Sequence, residues 1–175
     1  THGRIGPDRF IPVAEECGLI EYIGSWVLRT ACNHGVHWIG RGFADIRMAV
    51  NVSVRQMNAE GFYELVEGVL AETGFPAAQL ELEITESTLQ RVEHSRELLG
   101  RLKRLGVGVS IDDFGTGHSS LSLLKHLPID RIKIDRSFIK DLPDDLNDVG
   151  ITESILALAN SLGMELIAEG VETVA

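Results

Sequence analysis

The sequence lacks most of the features that mark secreted, membrane-spanning or nucleic-acid-binding chains. It has two cysteines, Cys17 and Cys32. Both fall in helix-like patterns and form no spaced framework, which excludes a disulfide scaffold and fits a reducing compartment. No apolar run approaches the ~20 residues that a membrane span needs, so no membrane contact is expected from this segment. The opening residues, Thr1 to Pro7, are polar and glycine-rich, unlike a secretory leader. Positive charge is scarce: 16 Lys and Arg stand against 26 Asp and Glu, a net charge of −10. So acidic a surface repels a DNA or RNA duplex. It can still hold a phosphate ligand where a divalent cation reverses the local sign.

What remains is the composition of one compact globular domain, with 175 residues, 44% hydrophobic and 24% charged. Helical and strand patterns alternate. Pro7-Asp8 opens an apolar-periodic stretch that ends near Gly18, and a second helix is expected over Ser25 to Ile39, with Trp26 and Trp38 in the core. Ile46 to Val52 reads as a buried strand, and Gly61 to Thr73 as an amphipathic helix stopped by Gly74-Phe75-Pro76. The unit then repeats. Strands are expected at Leu80 to Thr85, Val107 to Ile111, Arg131 to Ile134 and Glu165 to Ala168. Helices are expected at Val92 to Leu105, Ser119 to Leu127 and Leu146 to Leu162. Five strands with intervening helices imply an α/β domain with a parallel sheet.

Each strand carries polar groups at or near its C-terminal end: Asn51; Glu83 and Glu86; Asp112 and Asp113; Lys133 and Asp135; Glu169 and Glu172. In a parallel α/β barrel those ends form one rim, where catalytic groups collect. Side-chain alternation puts Glu81, Glu83 and Thr85 on one face. Lys133 lies between two isoleucines and calls for carboxylates around it, because an unpaired buried charge costs several kcal/mol. Several carboxylates in one mouth either protonate or share a cation, and oxygen donors suit Mg²⁺ or Mn²⁺. Blander readings stand beside each residue. Asn51 could cap a turn, Glu83 and Glu86 could be a solvated strand end, and Asp112-Asp113 could be a turn with a helix cap. Lys133 could snorkel, and Glu169 and Glu172 could be loop acids. All of these would have to hold together at successive strand ends. Cys32, His34 and His37 have loosely zinc-like spacing, but on a helix beside Trp38 packing is the better reading. His94 and His126 read as surface residues.

Six segments in order make the pattern specific: Phe10-Ile-Pro-Val-Ala-Glu15, Asn51-Val-Ser53, Glu83-Ile-Thr-Glu86, Asp112-Asp-Phe-Gly-Thr-Gly117 with Ser119-Ser120, Lys133-Ile-Asp135, and Ala168-Glu-Gly-Val-Glu172. Together they resemble the EAL family of cyclic di-GMP phosphodiesterases, across essentially the whole chain. The resemblance implies a TIM-like (β/α) barrel that hydrolyses cyclic di-GMP to linear pGpG with two metal ions, Mg²⁺ or Mn²⁺. It implies Asn51, Glu83 and Asp112 as ligands of one metal, and Asp112, Asp113 and Glu169 as the group around the second. Glu169 is then also the candidate general base, Lys133 a group that positions water or neutralises phosphate, and Glu172 the second acid of the last motif. Glu86 would anchor the loop Phe114 to Ser120, and Asp135 would face substrate.

The family's Glu-Ala-Leu motif is absent from residues 1–175. It is expected upstream of Thr1, with further strands after Ala175, so the barrel is expected to be incomplete here, as a 1–175 phosphodiesterase domain cut at both ends. His118 stands where the family has an aromatic residue, and is expected to tune the loop. The resemblance also implies a homodimer, fusion to diguanylate-cyclase or sensor domains, and a cytoplasmic location. A non-hydrolysing cyclic di-GMP sensor is the alternative, and a metal-dependent barrel lyase with Lys133 as base a more distant one.

Overall fold

A computed structural model describes residues 3, 5–91, 95–117 and 124–172. Seven helices can be numbered among them: α1 Pro7–Glu16, α2 Ile20–Gly40, α3 Val54–Asn58, α4 Phe62–Thr73, α5 Glu86–Arg91, α6 Ser95–Leu105 and α7 Leu146–Leu162. The strands are β1 Met48–Asn51, β2 Leu80–Thr85, β3 Gly108–Phe114, β4 Arg131–Ile134 and β5 Glu165–Ala168. The helix expected over Ser119 to Leu127 lies largely outside the described residues, as do His94 and His118.

All four strand pairings are parallel, and spatial order follows chain order, β1-β2-β3-β4-β5. A doubly wound sheet reverses its strand order at a switch point. Here the order never reverses, so the sheet is an arc of a TIM-like barrel with helices on its outer side.

Local chemistry fixes the helix ends. Ser53 caps α3 in a reciprocal box with Gln56. Asp145 accepts from the amide of Asn147 at 2.7 Å at the start of α7. Helix α4 buries Phe62, Val66, Val69 and Leu70, the spacing of one helical face, and ends at Gly74 in the left-handed region.

The strands divide the molecule. Leu80, Leu82, Ile84, Val109, Ile111, Ile132 and Ile134 point outward into one buried core beneath the helices. Most of the opposite, inward positions are polar, among them Glu81, Glu83, Ser110, Asp112, Arg131, Lys133 and Glu165. This inward face forms two tiers. The lower is an ion-paired floor in which Arg131 donates to Glu81 and to Glu165, with Arg47 3.5 Å from Glu81. The upper tier is the rim.

Two expectations need correction. Trp26 is 67% exposed, and Trp38 is only partly covered, its ring near His34. Helix α2 faces the core instead through Ile20, Gly24, Leu28, Cys32 and Gly35, a stripe that Trp26 and Trp38 do not join. Its start is also earlier than expected, at Ile20. Cys32 is fully buried and burial pushes its thiol up to about 11, whereas His34 and His37 are exposed. The three cannot converge on zinc, and packing is the observed role of Cys32.

Candidate active site

The rim begins at Lys133. Parallel register sets Ser110 beside Glu83, and Ile111 beside Ile132, so Lys133 enters the barrel between β3 and β5 at the level of Glu83 and Asp112. Its ammonium lies 2.7 Å from Glu83, 3.0 Å from Asp112 and 2.6 Å from Glu169. Burial works against the charge on Lys133, but the bonds from Glu169, Glu83 and Asp112 outweigh it and raise its pKa above the ordinary lysine value. Lys133 stays charged at any working pH.

The next element is a break in β3. Ile111 pairs with Ile132, yet Phe114 pairs with Ile134, so three steps on β3 match two on β4. The extra residue is a β-bulge. With regular alternation, Asp113 would turn outward and Phe114 inward. The bulge lets Asp112 and Asp113 both reach the mouth and returns Phe114 to the core, where it is 3% exposed. Asp113 absorbs the irregularity at φ 54, the only non-glycine with positive φ among the described residues. Carboxylate oxygens of Asp112, Asp113 and Glu169 then lie within 4.8 Å of one another.

This gathering is electrostatically unfavourable by itself. Burial, Lys133 notwithstanding, and the charges of Asp112 and Glu81 push Glu83 above its ordinary value. Partial desolvation, and then Asp112, Asp135 and Glu169, do the same to the exposed Asp113. A raised carboxyl favours the fold while protonated, and that contribution is lost as pH rises through the raised value. Without metal, Asp113 therefore opposes folding at neutral pH. Asp113→Asn should raise the melting temperature of metal-free protein at pH 7, since Asn also tolerates the left-handed backbone. Thermal melts should show this gain shrinking as the pH falls into the ordinary carboxylate range. An unchanged or lower melting temperature at pH 7 would remove the repulsion argument.

The other candidates fall at different distances from this centre. Asn51 ends β1 directly beside Glu83 in register. Asp135 caps a 3₁₀ turn, Arg136–Phe138, by accepting from the Ser137 amide at 2.9 Å. Hydrogen bonding from the Ser137 side chain, and then from that amide, lowers its pKa. Glu172 stands apart from the cluster, mostly exposed, and is ion-paired with Arg136 at 2.8 Å. Gly170, at φ 72, lets the Arg136 stem lie against the backbone, where any side chain would collide with it. Glu86 is 5% exposed, and neither carboxylate oxygen has a hydrogen-bond partner among the described residues. It faces Gly117, where a Cβ would meet its carboxylate at 3.1 Å.

Sequence reasoning missed the floor. Arg131 and Glu165 occupy the same inward positions, two residues before Lys133 and Ile167, and the period-2 pattern already contained them.

The EAL domain family model matches residues 1–175. The chain belongs to the EAL family. Among its EAL relatives, the bifunctional diguanylate cyclase/cyclic di-GMP phosphodiesterase MucR of Pseudomonas aeruginosa is 46% identical over 173 residues, covering 98% of this chain and 25% of MucR. The cyclic di-GMP phosphodiesterase NbdA of the same organism is 44% identical over 176 residues, covering 99% of this chain and 22% of NbdA. The solved structure of the PaMucR phosphodiesterase in complex with c-di-GMP superposes with a TM-score of 0.93 at 45% identity, covering 99% of this chain and 70% of that one. This EAL chain thus spans about a quarter of the length of the curated relatives it matches. Among its described residues, no helix is long and apolar enough to cross a membrane.

Proposed function

We propose that this protein hydrolyses cyclic di-GMP to linear pGpG with two divalent cations, Mg²⁺ or Mn²⁺. The observation that carries the reading is the convergence of Asp112, Asp113 and Glu169 beside a Lys133 already bonded to three carboxylates. The donors are oxygens only, which suits hard cations. Glu83, Asp112, Asp113, Asp135 and Glu169 set five carboxylates against one ammonium. Ionised, they leave four negative charges, which two divalent cations would cancel. MucR and NbdA, both named as cyclic di-GMP phosphodiesterases, support the substrate.

Asn51, Glu83 and Asp112 would hold one ion, and Asp112, Asp113 and Glu169 the other. When bound, the ions would supply Lewis acidity toward the phosphodiester and make water more acidic. Glu169 takes the proton of the attacking water. Lys133 keeps the nucleophile and phosphate in place by charge and hydrogen bonding. Attack on phosphorus in line with the 3′ oxygen expels that oxygen, which takes a proton from solvent water to become the 3′ hydroxyl, and leaves a 5′ phosphate on the linear product. Glu86 anchors the loop after Phe114, Asp135 faces the substrate, and Glu172 is the second acid, held by Arg136. Residues 1–175 are then the larger part of a domain that acts in the cytoplasm as a homodimer. A diguanylate-cyclase domain joined to it, as MucR's name describes, or a sensor domain would regulate it.

The test is chromatography of cyclic di-GMP incubated with the full-length protein and Mg²⁺ or Mn²⁺. Linear pGpG is expected, and none after chelation. Cyclic di-GMP binding with no product under either metal would replace hydrolysis with sensing.

A further inference from the structure

Among the described residues, Lys133 is the one cation shared by the three carboxylates at the centre of the rim. It meets one oxygen each of Glu83, Asp112 and Glu169, at 2.6 to 3.0 Å, and its side chain is 11% exposed. These are residues to which the two-cation reading gives the ions, and the inference rests on that reading. Asp113 is not among the partners of Lys133. Arg131, the other largely buried cation among the described residues, belongs to the floor and is engaged by Glu81 and Glu165, so it cannot stand in.

We propose that Lys133 is the resident counter-ion of the metal-free site, holding Glu83, Asp112 and Glu169 in place before any ion arrives and weakening the binding of the ions that follow. Three partly buried carboxylates without a cation would repel, and would protonate or swing apart. Lys133 prevents this, so the ligand oxygens are ordered in advance and ion binding does not have to order them. The same positive charge, held within hydrogen-bond distance of the ligands, repels every divalent ion. At such separations in a half-buried mouth, removing it should tighten binding by about tenfold or more. The lysine thus exchanges affinity for a site that is already formed.

Two variants separate charge from hydrogen bonding. Lys133→Met removes both, and Lys133→Gln keeps donors without the charge. Mn²⁺ affinity is read from the free-ion paramagnetic resonance signal, and stability from thermal melts with and without Mn²⁺. Both variants should bind Mn²⁺ at least about tenfold more tightly than wild type. Both should melt lower than wild type without metal, Lys133→Met lowest, and Mn²⁺ should raise their melting temperatures by more than it raises that of wild type. A variant that folds only when Mn²⁺ is present supports the proposal equally. Equal or weaker Mn²⁺ binding in the variants would overturn it, as would a loss of fold that Mn²⁺ does not restore. If neither wild type nor variants bind Mn²⁺, the two-cation reading falls, and this inference with it.

Discussion

Glu169→Gln should lower the turnover of cyclic di-GMP about a thousandfold and leave KM within a few-fold, the loss typical of a removed general base. The substitution conserves shape and can still bond the Lys133 ammonium, which now lies 2.6 Å from the carboxylate. What it removes is the capacity to take a proton. Because Glu169 also falls within the cluster with Asp112 and Asp113, kinetics must be taken at saturating Mn²⁺, where weaker ion binding no longer limits the rate. A fall in turnover of less than about tenfold under those conditions would leave Glu169 as a ligand and assign the base elsewhere.

The second large effect is on stability, and it lies below the chemistry. Arg131→Met should cost about 3 kcal/mol, because Glu81, with its side chain 4% exposed, keeps only the exposed Arg47 at 3.5 Å. For a chain of this size that is roughly a 6–12 °C fall in melting temperature. Replacing both partners, Glu81→Leu with Arg131→Met, should recover most of the loss, since an apolar pair of similar volume leaves no buried charge. Calorimetric melts of the two singles and the double decide it. If the double variant is no more stable than Arg131→Met alone, the cost lies in packing of the guanidinium and not in its pairing.

Much of this was readable from sequence, for identifiable reasons. Strand ends carry chemistry only because parallel strands bring their C-termini to one rim, so Asn51, Glu83, Asp112, Lys133 and Glu169 could be placed together from order alone. Helix α7 and strand β5 matched residue by residue because Asp145 and Gly163 punctuate them chemically. Trp26 failed for the opposite reason. Helix α2 has apolar residues on more than one side, and composition does not say which side meets the sheet. Strand β3 was expected to stop at Ile111 but runs to Phe114, because a bulge adds a residue without any Gly or Pro to announce it. The floor was missed because Arg131 and Glu165 sit at strand starts, where a charge looks like the edge of a loop. The position of Glu172 beside Arg136 depends on a 3₁₀ turn and a loop that no periodicity describes.

The bulge at Asp112-Asp113 bears on what this strand can become. A regular strand counts in twos and offers the interior every second side chain. A site that needs two neighbouring carboxylates needs an odd residue somewhere, and here it is inserted at the point of use. Point substitutions can therefore weaken the site by degrees, but no substitution can restore an even count. Deleting either aspartate would, and it would leave a smoother strand with one acid at the mouth. Loss of function by that route is a change of parity, and only a new insertion reverses it.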